Sequence, residues 1–270
     1  MLRLLREPRW LGYLALALVF AVVCCLLGMW QWDRRETALT AIDRLESNYD
    51  RDAAPLEAVL PEPSAFDPDQ QWTPVELEGE YVTDAQLLLR GRWRGGDVGF
   101  DVVVPFRTTT GAVFVVDRGW IDQASGAEQP VTEPATPVGP TTVVARLRPN
   151  EGQIAGRGAP EGQIASVDLP SIADSLARRG VADTTYTGAY GLLVSEGGAA
   201  PADVAIASRP VLDEGPHLSY TLQWFVFALG GFAAVAWGMR EELRSASPVE
   251  RPQRVRRTDS DIEDDILDLR

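Results

Sequence analysis

The chain has 270 residues and no lysine, and its 39 acidic residues against 25 arginines give a formal net charge of −14 at pH 7. Such an excess of negative charge repels the phosphate backbone, which argues against a nucleic-acid-binding protein. One histidine and two cysteines supply too few side chains for a zinc site or a histidine-dependent catalytic triad, so we expect no enzyme of these classes.

Two segments are long and apolar enough to span a membrane. Residues 10–32 and 218–239 contain no charged side chain, and an α-helix crosses a hydrocarbon core in about 20 residues. The first segment ends in Trp30-Gln31-Trp32, and tryptophans next to charges are typical of a membrane interface. No small-residue cleavage site follows, which favours a retained transmembrane helix over a signal peptide.

The arginines beside these segments predict the topology. Residues 1–9 contain three arginines and residues 240–257 contain six. Basic residues near a span favour the cytoplasmic side, so residues 1–9 and the polar tail 240–270 are predicted to be cytoplasmic in a bacterial cell membrane. Residues 33–217 then form an extracytoplasmic domain. The composition of the tail indicates disorder.

The pattern changes from helical to strand-like within the extracytoplasmic domain. Ala38, Ile42, Leu45 and Tyr49 recur at helical spacing, so the first helix is predicted to continue beyond the membrane. Alternation and turn residues then predict strands at 75–81, 86–93, 100–107, 112–117, 141–148, 190–195 and 204–207, and one helix at 170–179 between Asp168 and Gly180.

These elements define the predicted fold class. We expect an α+β membrane protein in which two transmembrane helices form a hairpin around a mostly antiparallel β domain. Many short strands without cysteine staples favour a barrel-like or sandwich-like arrangement.

The only histidine lies where the second apolar segment begins. On a helix, His217, Tyr220 and Trp224 share one face, at positions i, i+3 and i+7. Polar groups on a membrane helix face protein or ligand, and an imidazole there is a candidate axial ligand of haem iron. The alternative is that all three side chains lie at the interface because they are amphipathic.

Four short motifs, in order along the chain, resemble those of the Surfeit locus protein 1 family. They are residues 28–35 (GMWQWDRR), residues 89–106 from LRGR to GFDVVVPF, residues 115–121 (VVDRGWI) and residues 217–225 (HLSYTLQWF). The resemblance implies a non-enzymatic assembly factor for haem a-containing cytochrome c oxidase, which assists haem a insertion or stabilisation in the catalytic subunit. The implied partners are that subunit, other assembly factors, the haem a synthesis enzyme and membrane lipid.

The resemblance also implies roles for single residues. His217 becomes the candidate haem a ligand, with Trp224 and Tyr220 beside it, and no metal is expected apart from the haem iron bound through His217. Arg34 and Arg35 are candidate contacts for the haem propionates, although anchoring at lipid headgroups explains their position more simply.

Other interpretations stay open at this point. Arg118 and Gly119 are predicted to be structural, because a glycine permits a bulge and the arginine can pair with a nearby acid. A membrane scaffold that binds oxidase subunits without haem is the main alternative function, and an extracytoplasmic sensor is a third. Paired carboxylates also leave acid–base catalysis open.

Overall fold

The computed structural model describes residues 6–123, 130 and 132–246. These residues form two compact units. The first, called here the helix unit, contains residues 6–35 and 215–246. The second, called the β unit, contains residues 36–214.

The helix unit is built from two long helices. Helix α1 covers Pro8–Asn48 and helix α4 covers His217–Ala246. Both are long and apolar enough to cross a membrane, and Leu16, Val19 and Leu229 are each more than half exposed. An exposed apolar surface of this extent is unfavourable in water, which makes the unit compatible with a membrane protein.

Helix α1 continues into the β unit, as its sequence pattern predicted. Leu45 and Tyr49 are buried with Trp72, and Leu192 packs against them. The last turns of α1 therefore bury their apolar face on the β unit, which explains why the helix does not end with its apolar segment.

The remaining elements follow in chain order through the β unit. They are β1 (Ala54–Pro55), α2 (Leu56–Val59), β2 (Pro74–Tyr81), β3 (Leu87–Arg94), β4 (Asp97–Thr108), β5 (Val113–Asp122), β6 (Thr141–Pro149), β7 (Gln163–Ile164), α3 (Leu169–Arg178) and β8 (Ala189–Glu196). Five of the eight strand pairings among the described residues are antiparallel, and three are parallel. The sheet is therefore mixed, with antiparallel pairs in the majority.

The sheet closes on itself. Its strand order is β1-β2-β6-β8-β5-β4-β3-β7, and β2 pairs with β4 as well as with β6. Strands β2, β6, β8, β5 and β4 thus form a five-membered ring, which is a small barrel rather than a sandwich. Its interior holds a large apolar cluster that includes Val75, Phe106 and Leu147.

Three of the predicted strands differ from the structure. Strand β4 begins at Asp97, three residues before its predicted start. Strand β5 runs to Asp122 instead of residue 117, because its pairing with β4 continues past a bulge opposite Val102 and Val103. The predicted strand at 204–207 is a single bridge between Trp120 and Ala205. Beside this bridge, the carbonyl groups of Ala205 and Ile206 accept hydrogen bonds from the Arg94 side chain, at 2.6 and 2.8 Å.

Helix α3 lies where it was predicted, but its cap differs. Asp168 occupies the N-cap position, yet its carboxylate accepts from Ser171 Oγ and makes no cap hydrogen bond to the backbone. The Asn150 Oδ1 atom instead accepts from the Leu169 amide at 2.9 Å. Gly180, with φ +67°, follows the helix end as expected.

Candidate functional site

The two helices of the helix unit pack through small residues. Ala21 and Cys24 of α1 are buried against Ala228 of α4, with Trp224 packed on this cluster. A Cβ on Gly28 would lie 3.3 Å from the Phe225 ring. Small residues allow close approach of membrane helices, and polar groups between them then form specific hydrogen bonds.

His217 is held by a polar partner on the facing helix. Its Nδ1 atom lies 2.8 Å from Gln31 Oε1. With that oxygen as acceptor, Nδ1 carries the proton and Nε2 presents a lone pair. A Cβ on Gly215 would lie 3.3 Å from Nε2, so glycine keeps this edge of the ring open. Nδ1 of the half-buried imidazole is therefore engaged by Gln31, and Nε2 lies on the edge of the ring that faces Gly215.

The structure brings together some of the predicted site residues and not others. Trp224 packs against α1 and makes an edge-on contact with Phe227 at 5.8 Å between ring centroids. Tyr220 is 46% exposed. The buried position beside His217 belongs to Thr221, whose hydroxyl donates to the His217 carbonyl at 2.9 Å.

Sequence reasoning missed Gln31 and Thr221. Gln31 stands inside the first motif as an uncharged polar residue at the end of an apolar run, and Thr221 is four residues after His217. The sequence did contain an indication of both residues, because polar side chains on membrane helices face protein. The helix pairing that makes Gln31 the partner of His217 was not readable from one sequence.

The two arginines at the end of the first motif have different surroundings. Arg34 is exposed, whereas the Arg35 guanidinium lies 5.8 Å from the centroid of the Trp32 ring. Such a cation–π contact is common at a membrane interface. Their role as propionate contacts stays a prediction.

A second polar site lies in the β unit, and two of the quoted motifs converge on it. This polar pocket has a volume of about 270 Å³ and is lined by Arg92, Arg94, Asp101, Asp117, Arg148 and Glu151, with aromatic walls from Trp72, Trp120 and Tyr190. Its charged residues come from β3, β4, β5, β6 and the residues after β6. No sequence pattern pointed to this pocket, because strand pairing alone brings these residues together.

Arg92 organises the acids of the polar pocket. Its Nε atom lies 3.0 Å from Asp101 Oδ2 and its Nη2 atom 2.6 Å from Glu151 Oε1, while the Tyr190 hydroxyl donates to Glu151 at 3.1 Å. Burial raises the pKa of Asp101 to about 6, against the opposing effect of Arg92. Burial also acts to raise the pKa of Glu151, but the hydrogen bond from Arg92 and its other donors lower it overall.

Asp117 is the most deeply buried acid of the polar pocket. Asp117 is only 6% exposed, and its Oδ1 atom accepts a hydrogen bond from the Gly119 amide at 3.0 Å. Burial, and then the charge of Asp101, raise the pKa of Asp117 well above its usual value. The protonated form of this carboxyl group therefore persists to higher pH than that of an exposed aspartate.

We expect the stability of Asp117→Asn relative to wild type to increase as the pH rises. The native state of the wild type keeps its proton while the unfolded state loses it above about pH 4, so wild-type stability falls with pH by up to about 1.4 kcal/mol per unit until the native carboxyl ionises. The asparagine retains the acceptor for Gly119 without this loss. Thermal unfolding of both forms between pH 4 and 8 measures the difference.

The control for this comparison is Asp174→Asn, which also removes one formal charge but at an exposed position. A stability difference between Asp117→Asn and wild type that stays constant or shrinks with rising pH would contradict a raised pKa of Asp117.

Arg118 and Gly119 are structural, as predicted. The Arg118 side chain is 1% exposed and makes two hydrogen bonds to Glu196, from Nε at 3.1 Å and from Nη2 at 2.6 Å. Arg118 is the extra residue at the bulge of β5, and Gly119 follows it with φ +136°; a Cβ on Gly119 would lie 2.8 Å from the Ala205 carbonyl oxygen. Residues 115–121 thus hold Asp117 in the lining of the polar pocket.

Comparisons with known proteins agree with the motifs. The sequence profile described as the SURF1 family matches residues 18–229. The chain is also similar to uncharacterized SURF1-like proteins of Mycobacterium bovis and of two strains of Mycobacterium tuberculosis, with 31% identity over 266 residues and 94% of each chain covered. The chain belongs to the SURF1 family, which is linked in general to the assembly of cytochrome oxidase.

Proposed function

We propose that this protein is a non-catalytic assembly factor that binds haem a through His217 during maturation of haem a-containing cytochrome c oxidase. The observation that carries the proposal is the His217–Gln31 hydrogen bond of 2.8 Å, which commits Nδ1 and leaves Nε2 for a ligand. Family membership supplies the link to the oxidase.

The residues around His217 fit a haem. A neutral imidazole nitrogen is a common axial ligand of haem iron, and a hydrogen bond to the other ring nitrogen orients it. Trp224 and Phe225 offer apolar surface, and Tyr220 offers an exposed phenol. When bound, haem a supplies the redox-active iron of the oxidase; the role of this chain is to hold and orient it.

The proposal includes a topology and partners. Arginines at both ends of the hairpin, such as Arg9 and Arg240, support cytoplasmic termini, so that His217 would lie at the outer membrane boundary and the β unit outside. We propose that the catalytic subunit of the oxidase receives the haem. Other assembly factors and the haem a synthesis enzyme are further proposed partners.

The test is a visible spectrum of the purified full chain, co-produced with the haem a synthesis enzymes. We expect a haem a band in the spectrum of wild type and none in that of His217→Ala. Gln31→Leu should lower the affinity for haem a by about tenfold, as is usual when an orienting partner is lost. The exposed Ser219→Ala change is the matched control in the same turn of α4. A band of equal intensity in wild type and His217→Ala, or none in wild type, would contradict the proposal.

A scaffold without haem is the second candidate, and one observation favours it. The same hydrogen bond joins α1 to α4, which is a sufficient structural role for His217. His217→Asn separates the two functions, because an amide can still donate to Gln31 but offers no imidazole. Normal oxidase activity in cells carrying this variant would favour the scaffold.

A further inference from the structure

We propose that the polar pocket of the β unit is a binding site for a small organic acid, whose carboxylate is held by Arg148 and Arg94. This site lies wholly within residues 72–210 and is independent of the haem proposal.

Two guanidinium groups in the polar pocket form no ion pair with any of the described residues. The Arg148 guanidinium lies over the Trp72 ring, 4.4 Å from its centroid. The Nη1 atom of Arg94 donates to two backbone carbonyls, which fixes the side chain in place. Within the described part of the chain, neither arginine has a carboxylate oxygen within 4.0 Å. Arginine recognises carboxylates through paired hydrogen bonds, so fixed and unpaired guanidinium groups favour an anionic ligand.

Two acids of the polar pocket are already paired with another arginine. Asp101 and Glu151 are both engaged by Arg92. Asp117 accepts a hydrogen bond from the Gly119 amide, and burial raises the pKa of its carboxyl group. The guanidinium groups of Arg94 and Arg148 therefore remain outside the ion pairs of the polar pocket.

The backbone at the polar pocket is strained. Trp72 has φ +73° and is the one non-glycine residue with positive φ among those the structure describes. A conformation of this kind is unfavourable for a bulky residue and tends to occur at functional sites. Here it places the indole beneath Arg148, and a hydrogen bond of 2.9 Å from the Trp72 amide to the Leu147 carbonyl maintains it.

The volume of the polar pocket and the side chains that line it argue against a large ligand and against a metal ion. A volume of about 270 Å³ is below the usual range of about 300–1,000 Å³ for drug-sized ligands, so the ligand is small. The aromatic walls favour a flat body. Among the described residues no group of three His, Cys, Asp or Glu side chains is placed to hold a metal ion.

The test uses benzoate as the probe, titrated into the full chain in detergent at constant ionic strength and followed by calorimetry. We expect a Kd on the order of 1 mM or tighter for benzoate and no binding of the neutral analogue benzamide. Arg148→Gln should weaken the binding of benzoate by about tenfold, the usual effect of losing one charge-assisted hydrogen bond. Arg107→Gln, which changes an arginine outside the polar pocket, is the control.

A second pair of variants keeps the test independent of the folding of Arg148→Gln. Ser208 lines the polar pocket from an exposed position, so Ser208→Glu should fold and repel the probe, whereas the neutral Ser208→Gln should not. Absence of benzoate binding up to about ten times the expected Kd would overturn the proposal. Equal affinity in wild type and Ser208→Glu, or equal affinity for benzamide, would overturn it as well.

Discussion

Replacing Arg118 with methionine is expected to destabilise the β unit by about 3–5 kcal/mol and to lower its thermal unfolding midpoint by about 10 °C. The change removes the guanidinium group but keeps a flexible apolar side chain of similar length. Thermal unfolding of the full chain in detergent, followed by near-ultraviolet circular dichroism, measures the shift.

The reason is that the acid left behind is buried. The Glu196 side chain is 9% exposed and accepts from Arg118 and from the Tyr81 hydroxyl, the latter at 3.1 Å. Burial acts to lower the pKa of Arg118, but the hydrogen bond and charge of Glu196 outweigh it and raise that pKa. Glu196 therefore stabilises the charged form of Arg118, and removal of the guanidinium group leaves a buried carboxylate without its main hydrogen-bond donor.

Two variants make this prediction specific. Arg118→Met with Glu196→Leu removes both charges and should recover much of the lost stability, since replacing both members of a buried pair is far less costly than breaking it. Arg107→Gln breaks the exposed pair with Glu80 and should cost less than about 1 kcal/mol. If Arg118→Met and Arg107→Gln shift the midpoint equally, the ion pair is not buried in solution.

The strands of the β unit were predictable because their side chains alternate. The pattern over residues 75–81 gave β2 to within one residue, and β3 was also predicted to within one residue, whereas β4 begins three residues before its predicted start. Strand β5 was underestimated because its continuation contains Arg118 and Gly119, which do not look like a buried strand. An arginine that is 1% exposed can only be recognised once its partner Glu196, far away in sequence, is in place.

The two candidate sites differ in how far they could be predicted from the sequence. His217 was recognisable because it is the only imidazole and stands at the start of an apolar segment. Its partner Gln31 depends on how two helices pack, which one sequence does not specify. The polar pocket was missed completely, since Asp117 and Glu151 are two acids among many and nothing local marks them as neighbours.

The β2–β4 pairing that closes the barrel was equally unreadable from the sequence, and it begins at a glycine. Gly79 of β2 pairs with Thr108 of β4 on one side and with Thr141 of β6 on the other. A Cβ at Gly79 would lie 2.0 Å from the Arg107 carbonyl oxygen and 2.9 Å from the Thr108 Cα. Both obstacles are backbone atoms of the partner strand, so they cannot move aside as a flexible side chain can.

Gly79→Ala is therefore expected to open the β2–β4 seam and to destabilise the β unit by roughly 3 kcal/mol, the upper range for overpacking. The hydrogen bonds that flank the seam, from Thr109 N to Glu78 O at 2.9 Å and from Val82 N to Pro105 O at 2.8 Å, report on it directly. Hydrogen exchange of these two amides should accelerate in the variant, while the β6–β8 pairing stays protected. Gly158→Ala, at a glycine whose added Cβ meets no atom within 4 Å, is the control and should leave both unchanged. Unchanged exchange at Thr109 and Val82 in Gly79→Ala would mean that the ring of strands is not closed at this residue.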